Sequence, residues 1–157
     1  MKGITIRKAT INDLGAIQEL NHELCIKEHN EYDSTINPDY PLSKAGEEYF
    51  KSKIESSDSL ALVAETKGNI VGYFVGSLAD SPDYRVVRLA EAENMYVKES
   101  FRSQGIGSGL SLKFEDWCRE RKVERIRHIA SAGNVEAIKF YKKHGCKEVD
   151  IALEKDL

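Results

Sequence analysis

At 157 residues the chain is long enough for one domain that buries roughly 70% of its unfolded surface in a core of its own, so no covalent staple is needed. Three cysteines, Cys25, Cys118 and Cys146, are odd in number and far apart, which argues against a disulfide framework or a Cys-x-x-Cys metal site and fits reduced thiols of a cytosolic protein. A formal net charge of −3 with dispersed Lys and Arg disfavours a nucleic-acid partner, and the absence of a signal-like start or of any run near the roughly 20 apolar residues of a membrane span points to a soluble cytoplasmic chain with no membrane partner.

Ile4 and Ile6 alternate with polar residues and predict a first strand ending near Arg7. Thr10-Ile-Asn-Asp13 offers helix caps, and Leu14, Ile17, Leu20 and Leu24 return at three- and four-residue steps, predicting an amphipathic helix to about Glu28. Turn formers and two prolines between Asn30 and Pro41 predict a loop. Ser43 begins a second helix with Tyr49, Phe50 and Ile54 inward, and Ser56-Ser-Asp-Ser59 ends it. Leu60 to Glu65 and Ile70 to Leu78 read as strands joined by the turn Lys67-Gly68-Asn69. Val86 to Val97 is the next strand, and after a glycine-rich junction a helix runs to about Arg121 with Leu110, Leu112, Phe114, Trp117 and Cys118 on its apolar face. Arg125 to Ser131 reads as strand, Asn134 to Lys143 as helix and Glu148 to Glu154 as a closing strand. The cation-rich stretch Arg119 to Arg127 contains two Glu and reads as a solvated helix end. The order βααβββαβαβ predicts one α/β (α+β) domain over residues 1–157, a mixed sheet with helices on both faces.

The junction Arg102-Ser103-Gln104-Gly105-Ile106-Gly107-Ser108-Gly109 joins a strand to a helix through glycines. A helix start carries about half a positive charge and N–H groups with no partner inside the helix, so the junction is an anion cradle. Two familiar phosphate loops do not fit. No Lys precedes Ser108, as a P-loop requires, and glycines two apart deep in the chain do not make a dinucleotide fingerprint. What fits is Arg/Gln-x-x-Gly-x-Gly/Ala, with Arg102, Gly105 and Gly107 on its fixed positions, which resembles the acyl-CoA loop of the GNAT superfamily of N-acetyltransferases. Downstream, Asn134-Val-Glu-Ala137-Ile138-Lys-Phe140-Tyr141-Lys-Lys-His-Gly145 is similar to that family's Asn-x-x-Ala-x-x-Phe-Tyr-x-x-x-Gly helix. Cys146 departs from the family pattern, which has an aromatic there.

The resemblance implies acetyl-CoA as cosubstrate, an amine as acceptor and direct attack in a ternary complex. The alternative is a non-catalytic acyl-CoA-binding or regulatory module of the same fold. It implies that amides of Gln104 to Ser108 hold the pyrophosphate, that Arg102 and Ser103 shape the loop, and that main chain of Met95, Tyr96 and Val97 faces the pantetheine arm. Asn134 is expected to cap its helix or to reach the pantetheine amide, and Tyr141 to protonate the departing thiolate, its phenol staying protonated at neutral pH. Glu91 and Glu93, at even spacing on one strand face, are the candidate bases, provided that burial raises a carboxyl towards working pH; either could instead pair with Arg88 or Arg85. The acceptor rim is expected from Glu28, Glu31, Tyr32, Asp33, Asp39 and Tyr40, which suit a cationic amine. His22, His29, His128 and His144 have no metal-binding spacing, and no metal is expected. A homodimer through the later strands, common in lookalikes, is left open.

Overall fold

The computed structural model describes residues 3–80 and 85–157. The β-strands are β1 (Thr5–Lys8), β2 (Ser59–Thr66), β3 (Asn69–Leu78), β4 (Leu89–Val97) and β5 (Arg125–His128), and the helices α1 (Leu14–Glu31), α2 (Lys44–Glu55), α3 (Ile106–Glu120) and α4 (Val135–Lys143). The five strands lie in sequence order in one sheet. β1 to β4 are antiparallel neighbours, whereas β5 joins β4 in parallel after the crossover through α3.

The central strands are apolar on both faces because both faces are covered. Leu60, Leu62, Ala64, Phe74 and Ala90 meet Ile106, Leu110, Phe114, Trp117 and Cys118 of α3 on one side. Ala61, Val63, Tyr73, Val75 and Tyr96 meet Ile17 and Leu20 of α1 and Phe50 and Ile54 of α2 on the other. Phe114 anchors the first layer, its ring 4.7 Å from Phe74 and stacked 5.4 Å from Trp117. Gly76 makes room for it, since a Cβ there would lie 2.5 Å from the Phe114 ring.

The start of α1 is fixed by charge. Arg7 donates to both oxygens of Asp13 at 2.8 Å and to Glu65 at 2.9 Å, and the Thr10 N–H donates to Asp13 at 2.8 Å. The Arg7 hydrogen bond, opposed by burial and helped by Thr10, pulls the Asp13 carboxyl down to about 2.

Three boundaries, one packing position and one whole element differ from what the sequence predicts. α1 continues to Glu31, three residues past Glu28. Val86 is exposed outside β4, which begins at Leu89, and β5 stops at His128 rather than Ser131. Leu112 is 54% exposed, because the stripe that meets the sheet is Leu110, Phe114, Trp117 and Cys118 and position 112 falls off it. The closing strand expected over Glu148 to Glu154 is absent. That segment has no regular structure and leaves Val149, Ile151 and Leu153 exposed. Period-two alternation marks a segment able to cover a face, but a strand also needs an edge to pair with, and no ladder forms on the outer side of β5.

The packing predicts opposite effects for two glycines. Gly76→Ala should lower unfolding free energy by about 1–3 kcal/mol through overpacking against Phe114. Gly15→Ala, in α1 with open space around its Cβ position, should raise it by about 0.5–1 kcal/mol. Urea denaturation of the two variants checks both signs.

Candidate active site

β4 is paired on both edges only along its first half. β5 accompanies it from Leu89, opposite Arg125, to Ala92, opposite His128, and Glu93 to Val97 continue with β3 alone. The Lys98 N–H donates to the Val71 carbonyl at 3.0 Å, so by antiparallel alternation Tyr96 turns its main chain to β3 while Met95 and Val97 turn theirs to the open edge. Arg102 fills part of that edge, its Nε donating to the Val97 carbonyl at 2.9 Å while the guanidinium lies over the Tyr96 ring at 5.3 Å. What remains open is the Met95 N–H and carbonyl and the Val97 N–H. Tyr96 contributes no main chain there, because both its peptide and its buried ring face other elements.

At the end of this edge the chain turns into α3. Gly105 has φ 82°, a left-handed conformation that glycine adopts without strain, and Ser103 has φ 59°. The first bond closing the helix runs from Gly109 N–H to the Gly105 carbonyl at 2.9 Å, and no side chain caps the start, so the N–H groups of Ile106, Gly107 and Ser108 have no partner within the helix. The Ile106 side chain is buried in the core and offers only its peptide. Gln104 donates to the Ser100 carbonyl at 3.3 Å, which holds the loop. α4 lies across this turn: a Cβ on Gly107 would sit 3.5 Å from the Phe140 ring, and His144 Nε2 is 3.1 Å from Ser108 Oγ. An uncapped helix start continuous with an unpaired strand edge fits a long ligand with an anionic group at one end and amides along its length.

The two strand carboxylates share a face and are fully engaged. A bulge makes Glu93 the extra residue between the pairs Val75–Asn94 and Gly76–Ala92, which turns Glu93 and Asn94 together towards α2. Glu93 accepts from Lys53 Nζ at 2.7 Å and from the hydroxyls of Tyr49 and Ser77. Burial alone would raise its pKa, but Lys53, Ser77 and Tyr49 outweigh burial and hold it below the ordinary carboxylate range. The burial-raised base expected at this position is therefore not found. Glu91 is ion-paired with Arg127 of β5, rather than with Arg88 or Arg85. The network extends from Glu93: Asn94 donates to the Tyr49 oxygen at 2.9 Å, Asn21 donates to the Tyr73 oxygen at 2.6 Å and lies 3.4 Å from Asn94, and the Cys25 thiol donates to Asn21 at 3.6 Å. Of this seam, the sequence reading had only Glu93 as a candidate. Tyr49 and Lys53, one helical turn apart on α2, were the available signal for the rest.

The Asn134 side-chain oxygen caps α4 by accepting from the Ala137 N–H at 3.1 Å, which leaves its amide nitrogen for another partner. Tyr141 is half-buried, with its ring 4.3 Å from that of His128 at the end of β5. Burial first, then Cys146 and Glu28, raise the Tyr141 phenol above its ordinary value. The His128 imidazole is pushed down to about 4 by burial and His144, so it is neutral at physiological pH, and its Nδ1 has no partner among the described residues. Sequence spacing sets His128 aside as a metal ligand and gives no sign of its place beside Tyr141. β5 thus ends at His128, beside which the Tyr141 ring lies, and Met95 lies by Gly107 at the α3 start, while Glu93 turns to Lys53 and Glu91 to Arg127. Among the described residues no helix is long and apolar enough to cross a membrane.

The model of the acetyltransferase (GNAT) family matches residues 23–146. An uncharacterized N-acetyltransferase of Methanocaldococcus jannaschii is 26% identical over 151 residues, covering 96% of this chain and 64% of the relative, so the chain spans just under two thirds of that protein's length. Among solved structures, a tetramutant of the BH1408 protein of Bacillus halodurans superposes with TM-score 0.86 at 20% identity over 98% of this chain and 99% of that one. An aminoglycoside N-acetyltransferase, AAC(6′)-Iy in complex with CoA, superposes with TM-score 0.76 at 15% identity over 98% of this chain and 94% of that one.

The engagement of Glu93 has a measurable consequence. Because its folded-state pKa is depressed, its contribution to stability is complete above the ordinary carboxylate value and is lost as pH falls through the folded value. Lys53→Met removes the cation at 2.7 Å and should lower unfolding free energy near neutral pH by about 1.5–3 kcal/mol. The variant should also lose less stability than the parent on acidification through the carboxylate range. Thermal unfolding of parent and variant across acid pH reads both effects.

Proposed function

Since the chain belongs to the acetyltransferase (GNAT) family, we propose that it transfers the acetyl group of acetyl-CoA to a primary amine, by direct attack with both substrates bound. The observation that carries this reading is the continuity of the open β4 edge with the uncapped start of α3. Acetyl-CoA supplies an acyl group activated as a thioester. Amides of Gln104, Gly105, Ile106, Gly107 and Ser108 receive its pyrophosphate, aided by the helix dipole. Arg102 sets the loop by tying it to Val97, and Ser103 provides the turn that precedes it. Met95 and Val97 pair with the pantetheine amides as an added strand would, and the free amide nitrogen of Asn134 donates to the same arm.

Tyr141 is the proton donor to the leaving sulfur. Its raised pKa keeps the proton on the phenol at working pH, and among the described residues no hydrogen bond occupies the hydroxyl. Glu93, matched by Lys53, and Glu91, matched by Arg127, form a polar wall of no net charge beside the strand, so the acceptor need only present a primary amine to the thioester. Small-molecule amines, polyamines and protein amino groups all meet that requirement. The reading extends to a cytoplasmic protein, consistent with three free cysteines, and to a homodimer in which the exposed Val149–Ile151–Leu153 stripe finds cover.

Acetyl-CoA at about 100 times its dissociation constant should stabilise the protein by about 2.7 kcal/mol. At roughly 2–4 °C per kcal/mol for a domain of this size, that is a melting shift of about 5–10 °C. Tyr141→Phe should keep the shift and lose about 100-fold or more in kcat, read by thiol release with a panel of amines. No shift with the parent protein would refute the cofactor assignment. A shift without transfer to any amine would instead favour an acyl-CoA-binding module.

A further inference from the structure

Along α1, its following loop and the facing strand, several carboxylates have a cation beside them among the described residues, and Glu28 differs. Glu31 is met by Lys27 at 3.4 Å, Asp39 by His22 at 3.1 Å, Glu91 by Arg127 and Glu93 by Lys53. Glu28, in the last turn of α1, is half-buried, and among the described residues no side-chain hydrogen bond or ion pair meets its carboxylate. Its own carbonyl accepts from the N–H groups of Tyr32 and Asp33, both at 2.9 Å, so the helix end that carries it is closed and fixed.

The end of α1 abuts the entry to α4, since a Cβ on Gly133 would lie 3.1 Å from the Tyr32 ring, and this brings Glu28 towards the helix that carries Tyr141. Four neutral groups on three elements answer to its charge. Along α1 they are Cys25, its thiol raised to about 11 by burial and then Glu28, and Tyr32, raised by burial, Glu31, Glu136 and Glu28. From β3 comes Tyr73, raised above all by burial, and from α4 Tyr141, raised by burial, Cys146 and Glu28. His128, stacked on Tyr141, is neutral as well. A carboxylate half out of water among phenols and a thiol, without a cation, is an unfavourable arrangement in the free protein. A cation arriving from outside relieves it, and Tyr141 marks where that cation would stand relative to the thioester.

We propose that Glu28 receives the ammonium group of the acceptor opposite Tyr141 and removes its proton. This assignment rests on the acetyl-transfer reading above. One proton passes from the ammonium to Glu28 and on to solvent, which leaves the nitrogen lone pair to form the C–N bond at the thioester carbonyl carbon. As the C–S bond breaks, its electron pair leaves on sulfur, which takes a proton from Tyr141. The second proton lost by nitrogen restores the phenol. The sum is amide, free thiol and one proton released. Burial holds Glu28 above the ordinary carboxylate range, the direction required of a base, whereas Glu93 is held below it. Environments that push two carboxylates apart assign them different roles.

The test compares the parent with Glu28→Gln, using Glu19→Gln on the exposed side of α1 as control. Acetyl-CoA binding is read by melting shift, and transfer to 1,4-diaminobutane, a lysine peptide and an aminoglycoside by thiol release from about pH 6 to 9. Glu28→Gln should bind acetyl-CoA as the parent does, lose about 100-fold or more in kcat/KM near pH 7, and gain roughly tenfold per pH unit as the amine deprotonates unaided, where the parent is flat. A group whose folded pKa is raised is stabilising only in its protonated form, so the neutral Gln should also melt at or above the parent temperature near pH 8. That last readout is independent of activity and shows that the variant folds. Parent-like rates and a parent-like pH profile in Glu28→Gln would overturn the Glu28 assignment and leave the transfer reading standing. Failure of the parent itself to bind acetyl-CoA, or to acetylate any of the three amines, would overturn the transfer reading and the Glu28 role with it.

Discussion

Every peptide N–H and carbonyl taken out of water must find a partner, and β4 satisfies this on both edges only as far as Ala92. Beyond it, the middle of the sheet carries an open edge. The fold maintains that opening with features at both ends: β5 stops at His128, and Arg102 turns back to take the Val97 carbonyl as the chain enters α3. The uncapped amides of α3 continue the same line of unsatisfied donors. Strand edge and helix start together form one continuous line of open peptide groups, which the proposed function assigns to a ligand rich in amides and phosphate. The side chains around it are correspondingly plain, with Ile106 and Met95 serving the core and Gly105 and Gly107 giving access.

On the opposite face the same strand organises charge. One extra residue in β4 turns Glu93 and Asn94 to the same side, and the chain of contacts from Lys53 through Glu93, Tyr49, Asn94 and Asn21 to Tyr73 and Cys25 stitches α2 and α1 to the sheet. A fully satisfied buried network of this kind gives rigidity and a defined wall. It also holds the Glu93 carboxyl below the ordinary carboxylate range despite its burial, because three donors favour the ionised form, and so makes it a weak base. On the proposed reading, proton chemistry falls instead to Tyr141 and Glu28. Burial raises both, and among the described residues no side-chain hydrogen bond or ion pair meets either.

Much of this was readable in the residues themselves. The unbroken apolar run Leu60 to Ala64 announced a strand covered on both faces, and the spacing of Arg102, Gly105 and Gly107 announced the turn into α3. Asn134 read as a cap because its side chain matches the orphan amides of a helix start. Less visible was anything set by pairing. The bulge at Glu93 depends on a one-residue mismatch between two strands, and neither strand reveals it alone. Leu112 lies exposed while its neighbour Ser111 is buried, because α3 presents a narrower stripe than its leucines imply. The Val149–Ile151–Leu153 alternation is genuine, yet alternation says nothing about whether an edge is there to meet it. Likewise, the sequence offers Glu91 and Glu93 as candidate bases and Glu28 only as part of the acceptor rim. Only the cations placed beside the first two separate them.

The most direct measurement of the central claim is amide hydrogen exchange, residue by residue, with and without coenzyme A. If the open edge and the helix start hold the ligand, coenzyme A should slow exchange at Met95 and Val97 and at Gly105 to Ser108, with Tyr96, already turned to β3, changing little. Unchanged exchange at these amides under saturating coenzyme A, or protection confined to another part of the molecule, would contradict the account.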